Sequence, residues 1–203
     1  MRYDDSSLIL PRRLAEKLGG WIEQGYPHET CGLLIGRTAG CEVVVQSVVQ
    51  ARNLDRERAR DRYELAPDDW IAADLDARAR GSEIVGIWHS HPDQPAAPSA
   101  TDLERAWRGY SYLIASVTRE GVQGLSSWRL RRESFVKETI EELVSHENGH
   151  DSLPGPAAQP DGRQLGPCVR RHDPQRHRQA LRIRTGPMST TPSESTPGRP
   201  LIR

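Results

Sequence analysis

The aromatic residues of this chain, five Trp, five Tyr and one Phe, all lie at or before Phe135, although the chain runs on to residue 203. A packed core is therefore confined to the first two thirds, where rings are available to bury. From Asp151 onward nine prolines are scattered among Gly, Arg, Ser and Thr, a composition too poor in apolar surface to offset chain entropy. The expectation is one folded domain over 1–145 and a disordered Pro/Arg/Ser-rich tail over 146–203.

Charge adds an exclusion. The 28 basic and 28 acidic side chains cancel, and the tail's nine Arg against five acids leave it a net +4 that the folded part balances with −4. No dense Lys/Arg block stands out before residue 146, so a nucleic-acid partner is not expected, and the tail reads as solvated linker. Cys31, Cys41 and Cys168 are sparse, odd in number and without CxxC spacing, which fits a reducing cytoplasm rather than a disulfide framework. The opening MRYDDSSLILPRRLAEKL has two acids near its start and only a short apolar run. Neither a signal peptide nor a membrane span is expected there, and the protein is placed in the cytoplasm without membrane attachment.

Within 1–145 helical and strand patterns alternate. Leu14, Leu18, Trp21 and Ile22 recur at helical spacing behind Pro11, and Gly25-Tyr26-Pro27 ends that helix. CGLLIGR and CEVVVQSVVQ flank Thr38-Ala39-Gly40 as a hairpin, RYEL reads as a short strand, and PDDWIAADLDARAR as a helix. SEIVGIWHSH is a strand, SATDLERAW a helix, YSYLIASVT a strand, and GLSSWRLRRESFVKETIEELV a closing strand followed by an amphipathic segment. Hairpins mixed with crossovers predict an α/β architecture, a mixed β-sheet flanked by helices.

The stretch GIWHSHPDQPAAPSATD, residues 86–102, carries the chemistry. Strand alternation puts His89 and His91 on one face and Ser90 on the other, so the two imidazoles can hold one metal ion. Pro92 stops the ladder, a loop leads to Ser99, and Asp102 follows one turn into a helix. Two His and one Asp make a three-ligand zinc set with a fourth position open, as catalytic zinc requires. A plainer reading stands beside it: Ser99 and Asp102 as helix cap and first-turn acid, with two ordinary histidines. The two readings are compatible.

His-Ser-His, a seven-residue gap and Ser-x-x-Asp together resemble the signature of the JAMM (MPN+) metalloproteases. That signature also needs an upstream Glu, and HETCGLLIG offers Glu29 in the Glu-x-Cys-Gly run that bacterial members commonly show. The resemblance covers about residues 7–140. It implies the JAMM/MPN domain fold, related to cytidine deaminase. It also implies one Zn2+ per chain on His89, His91 and Asp102, Glu29 as general base, and Ser99 steadying the oxyanion. Cys31 is then a small packed residue beside the site.

Among JAMM proteases the chain most resembles compact bacterial members, including those that free cysteine from the Gly-Gly end of a sulfur carrier. The implied substrate is a ubiquitin-like, ThiS/MoaD-like sulfur-carrier protein cut after its C-terminal Gly-Gly. Alternatives are another zinc hydrolase on the same scaffold, of peptidoglycan, phage or RadC-like type, and a non-catalytic MPN module binding a ubiquitin-like partner. His146-Glu-Asn-Gly-His150 also spells HExxH, but Asn148-Gly149 and the Pro154-Gly155-Pro156 that follows break the helix this motif needs. His28, His172 and His177 read as solvated or locally bonded histidines.

Overall fold

The computed structural model describes residues 6–143. The predicted tail and the HExxH string lie outside the described residues.

The chain enters as a strand, β1 (Ser7–Pro11), and turns directly into helix α1 (Arg12–Gly25). Pro11, expected in the helix's first turn, is instead the last strand residue and the N-cap position. The hairpin of β2 (Cys31–Ala39) and β3 (Glu42–Ala51) follows, then helix α2 (Pro67–Ala79) and strand β4 (Glu83–Pro92). A short helix α3 (Ala100–Arg105) crosses over to β5 (Ser111–Thr118), and β6 (Gly121–Arg131) and β7 (Ser134–Leu143) complete the order.

The sheet is mixed, as predicted, and it closes on itself in the order β1-β3-β2-β4-β5-β6-β7. β1 runs parallel to both β3 and β7 and β4 runs parallel to β5, while the remaining pairs are antiparallel. Closure depends on β1, which inserts between β3 and β7 and pairs Leu8 with Val43 on one side and Ile140 on the other. Two local expectations are revised. RYEL makes only an isolated bridge, Asn53 to Leu65, closed by two backbone hydrogen bonds, Leu54 N–H to the Glu64 carbonyl and Ala66 N–H to the Arg52 carbonyl, with the Asn53 side chain holding the Arg62 carbonyl and the Glu64 N–H. The closing amphipathic segment is a full strand, β7, turned back from β6 at Arg132, whose φ is 52°.

Leu14, Leu18 and Ile22 project from one stripe of α1 into the core, where they meet Leu8, Val45 and Trp88. Burying a side chain of this size stabilises the fold by roughly 1.5–3 kcal/mol. The indole of Trp88 stacks on Trp21, 6.0 Å between centroids, and its Nε1–H donates to the Val49 carbonyl at 3.1 Å. That explains Gly32: a Cβ there would stand 2.0 Å from the Val49 oxygen and 2.6 Å from Trp88 Nε1. The glycine of Glu-x-Cys-Gly thus lets β2 and β4 close around the indole, one residue before His89.

Candidate metal centre

His89 and His91 sit near the end of β4 with Ser90 turned the other way, as strand alternation requires. Ser90 locks the strand to the residues before β2. Its Oγ accepts from the Thr30 N–H at 2.9 Å and lies 3.1 Å from the Thr30 hydroxyl, and its N–H donates to the Thr30 carbonyl at 2.9 Å. Cys31 is directly opposite His89 in the β2–β4 register. The lock therefore brings Glu29, two residues before Cys31, near enough to His91 for their charges to act on each other.

The loop after Pro92 is pinned residue by residue. Asp93 takes φ 56°, its N–H donates to the Val117 carbonyl at 2.8 Å, and its carboxylate accepts from the Tyr26 hydroxyl. Ser116 Oγ donates to the Gln94 carbonyl at 2.7 Å, and Trp128 Nε1–H to the Ala96 carbonyl at 3.1 Å. The Pro95 carbonyl accepts from His91 Nδ1 at 3.0 Å, which fixes the ring and leaves Nε2 facing inward.

Ser99 and Asp102 then form a reciprocal capping box. The Ser99 N–H and hydroxyl both donate to Asp102 Oδ2 at 2.7 Å, and the Asp102 N–H donates to Ser99 Oγ at 3.1 Å. Oδ1 points to His89, 3.3 Å from its Nε2, while the capped Oδ2 lies 3.5 Å from His91 Nε2. The cap and the candidate ligand are one structure.

His89, His91 and Asp102 are buried and their donor atoms converge. The two Nε2 atoms are 3.0 Å apart, and the carboxylate oxygens lie 3.3 Å from His89 Nε2 and 3.5 Å from His91 Nε2. A tetrahedral zinc with bonds of about 2.0–2.1 Å separates its ligand atoms by about 3.3 Å; one donor atom from each of the three residues lies within 4.8 Å of the others, so the set suits such an ion in ligand type and converges on that scale. Burial opposes a charge on Asp102, but hydrogen bonds from His89, His91 and Ser99 outweigh it and hold its carboxyl well below the usual range. Burial pushes His89 down toward the neutral, metal-ligating form; on His91 the same burial is overcome by Asp102 and the Pro95 carbonyl, so its pKa rises.

Glu29 is 6% exposed, and burial raises its pKa to about 8, with the charge of His91 pulling down and those of Asp102, Asp61 and Asp55 pushing up. Its backbone is held by the segment after β3: the Glu29 N–H donates to the Ala59 carbonyl, and the Glu29 carbonyl accepts from Asn53 Nδ2 at 3.1 Å. The Cys31 thiol is buried at the core and pushed up to about 12, chiefly by burial, so it packs rather than attacks.

Three neighbours carried no signal in the sequence. They are Tyr63, stacked on His89 with 4.5 Å between centroids, Asn53, and the Pro95 carbonyl. Only a spatial pairing or a backbone group marks them, and neither leaves a pattern along the chain. Among the described residues no helix is long and apolar enough to cross a membrane.

A family model described as prokaryotic homologs of the JAB domain matches residues 11–131. A desampylase of Haloferax volcanii is 39% identical over 93 residues, 44% of this chain and 63% of that protein, so the match spans less than two thirds of its length. A desampylase of Pyrococcus furiosus is 31% identical over 102 residues, 50% of this chain and 68% of that protein. The solution structure of a Desulfitobacterium hafniense protein matches with a TM-score of 0.61 and 30% identity, covering 70% of this chain and 99% of that one. One from Salinibacter ruber matches with a TM-score of 0.52 and 36% identity, over 70% and 98%.

Proposed function

The chain belongs to the prokaryotic homologs of the JAB domain, and from that membership we propose a zinc-dependent isopeptidase that cuts after the C-terminal Gly-Gly of a ubiquitin-like protein. The observation that carries this reading is the convergence of buried donor atoms from His89, His91 and Asp102, one from each within 4.8 Å of the others, with the buried Glu29 carboxyl close enough to feel the charges of His91 and Asp102. The two relatives named desampylase support the substrate class. Within that class we assign a ThiS/MoaD-like sulfur carrier in the cytoplasm.

His89, His91 and Asp102 would hold one zinc per chain and leave a fourth position open. Bound there, zinc supplies a Lewis acid and lowers the pKa of water to about 7. Glu29 takes the proton from the attacking water and returns it to the leaving nitrogen, a role that suits a carboxyl whose proton affinity burial has raised. Ser99 steadies the developing oxyanion by turning its hydroxyl from Asp102 Oδ2, which keeps the Ser99 N–H. The Ser90–Thr30 lock and the pinned 93–98 loop hold these groups in place, so little reorganisation is needed at the moment of reaction.

The test uses the full chain and a ubiquitin-like carrier extended beyond Gly-Gly, in one arm by cysteine and in the other by a lysine-linked peptide. About one zinc per chain and cleavage in at least one arm are expected, with cleavage lost to a chelator and restored by zinc. Protein that retains no zinc, or cleavage indifferent to chelation, contradicts the reading.

A further inference from the structure

The two histidines are fixed by different means. His91 Nδ1 is committed to the Pro95 carbonyl. His89 Nδ1 is buried without a hydrogen-bond partner among the described residues, so no hydrogen bond at that nitrogen sets its ring plane. Ligating imidazoles ordinarily donate their second nitrogen to an acceptor that orients them. What lies against His89 instead is Tyr63, with ring planes 27° apart.

Tyr63 is itself gripped on both flanks. Asn53 Nδ2 donates to the Arg62 carbonyl at 3.1 Å and Asn53 Oδ1 accepts from the Glu64 N–H at 3.0 Å, so one side chain holds the residues before and after Tyr63. The same amide also binds the Glu29 carbonyl and the Asp55 N–H, which uses its two donors and both acceptor positions. From α3, Arg105 reaches the Tyr63 carbonyl at 3.4 Å. A ring with a backbone clamped this way cannot drift with its loop.

We propose that Tyr63 is a positioning residue: its Asn53-clamped ring orients the His89 imidazole for metal, in place of the hydrogen bond that orients His91. The inference rests on the metal-site reading of His89, His91 and Asp102. The flat face is what counts, so phenylalanine should serve and an aliphatic side chain of similar bulk should not.

Two measurements on wild type, Y63F and Y63L separate the claims. In metal-free protein, NMR should find the His89 ring protons shifted upfield by the stacked ring in wild type and Y63F, and released from that shift in Y63L. Zinc affinity, measured by competition with a chromophoric chelator, should be within about twofold of wild type in Y63F and about 10- to 100-fold weaker in Y63L, the range typical of lost outer-shell support. Metal-free melting temperatures check that Y63L is folded; if it is not, Y63M takes its place with the same expectation. Equal zinc affinity in wild type and the folded aliphatic variant, or equal weakening in Y63F, overturns the proposal. Wild type that has the ring shift but binds no zinc refutes the metal reading, and with it the role in metal binding, while leaving the stacking itself standing.

Discussion

Residues 86–102 and residues 53–65 both shape the centre, and they do so in opposite ways. The first is contiguous and supplies three candidate ligands from a strand end and a capped helix, joined by a loop whose Asp93, Gln94, Pro95 and Ala96 backbone groups are each hydrogen-bonded. The second supplies no ligand. It holds the backbone of Glu29 and lays Tyr63 on His89, through one asparagine and one ring. Chemistry is thus concentrated in one short segment and its alignment is borrowed from another. Changes in the first should remove function, and changes in the second should loosen it.

The largest effect is expected in the first segment. Asp102→Ala removes a proposed ligand and the partner of both histidines, and should abolish zinc retention and turnover; a variant that keeps stoichiometric zinc would break the division. Ser99→Ala removes both the proposed oxyanion donor and the helix cap. It should cost about 10²-fold in kcat and about 1 kcal/mol in stability, the two being read from kinetics and from chemical denaturation.

A pH experiment sharpens the role of the buried base. Folding raises the Glu29 pKa from 4.5 to about 8, so metal-free folded protein binds the extra proton between those values and loses stability as pH rises through the window. Metal-free Glu29→Gln escapes this loss. It should exceed wild type by a few kcal/mol above pH 8, with the advantage gone below about pH 4.5; a difference independent of pH would show that Glu29 is not desolvated.

Smaller effects belong to the supports. Asn53→Ala strands the carbonyls of Glu29 and Arg62 and the N–H groups of Asp55 and Glu64. A loss of about 2 kcal/mol is expected in denaturation, with zinc still bound but more weakly. Cys31→Ala touches neither segment's hydrogen bonds. It should cost about 1 kcal/mol and leave kcat unchanged, and a large fall in kcat would give the thiol a part in the chemistry.

The same contrast explains what could be read along the chain. His89, His91, Ser99 and Asp102 are legible because ligand spacing coincides with strand alternation and helix capping, both local rules. Glu29, 60 residues before His89, is legible only through resemblance to a family pattern, since nothing in HETCG itself distinguishes it from a solvated acid. Tyr63 and Asn53 lie beyond either kind of evidence: RYEL looks like a strand, and the grip on its backbone comes from the side chain of Asn53, several residues earlier. β1 escaped notice because SLIL is too short to display a period, although its parallel pairing with β3 and β7 closes the sheet. β7 is largely exposed, which blurred the alternation that marks a strand.

The most direct test compares zinc-loaded Glu29→Gln with wild type on the same Gly-Gly-extended ubiquitin-like carrier, measuring bound zinc and turnover together. About one zinc per chain with turnover reduced by at least about 10²-fold is expected, because the metal site is intact and the proton carrier is gone. Full turnover with zinc retained would contradict the assignment of the base, and with it the account of the centre.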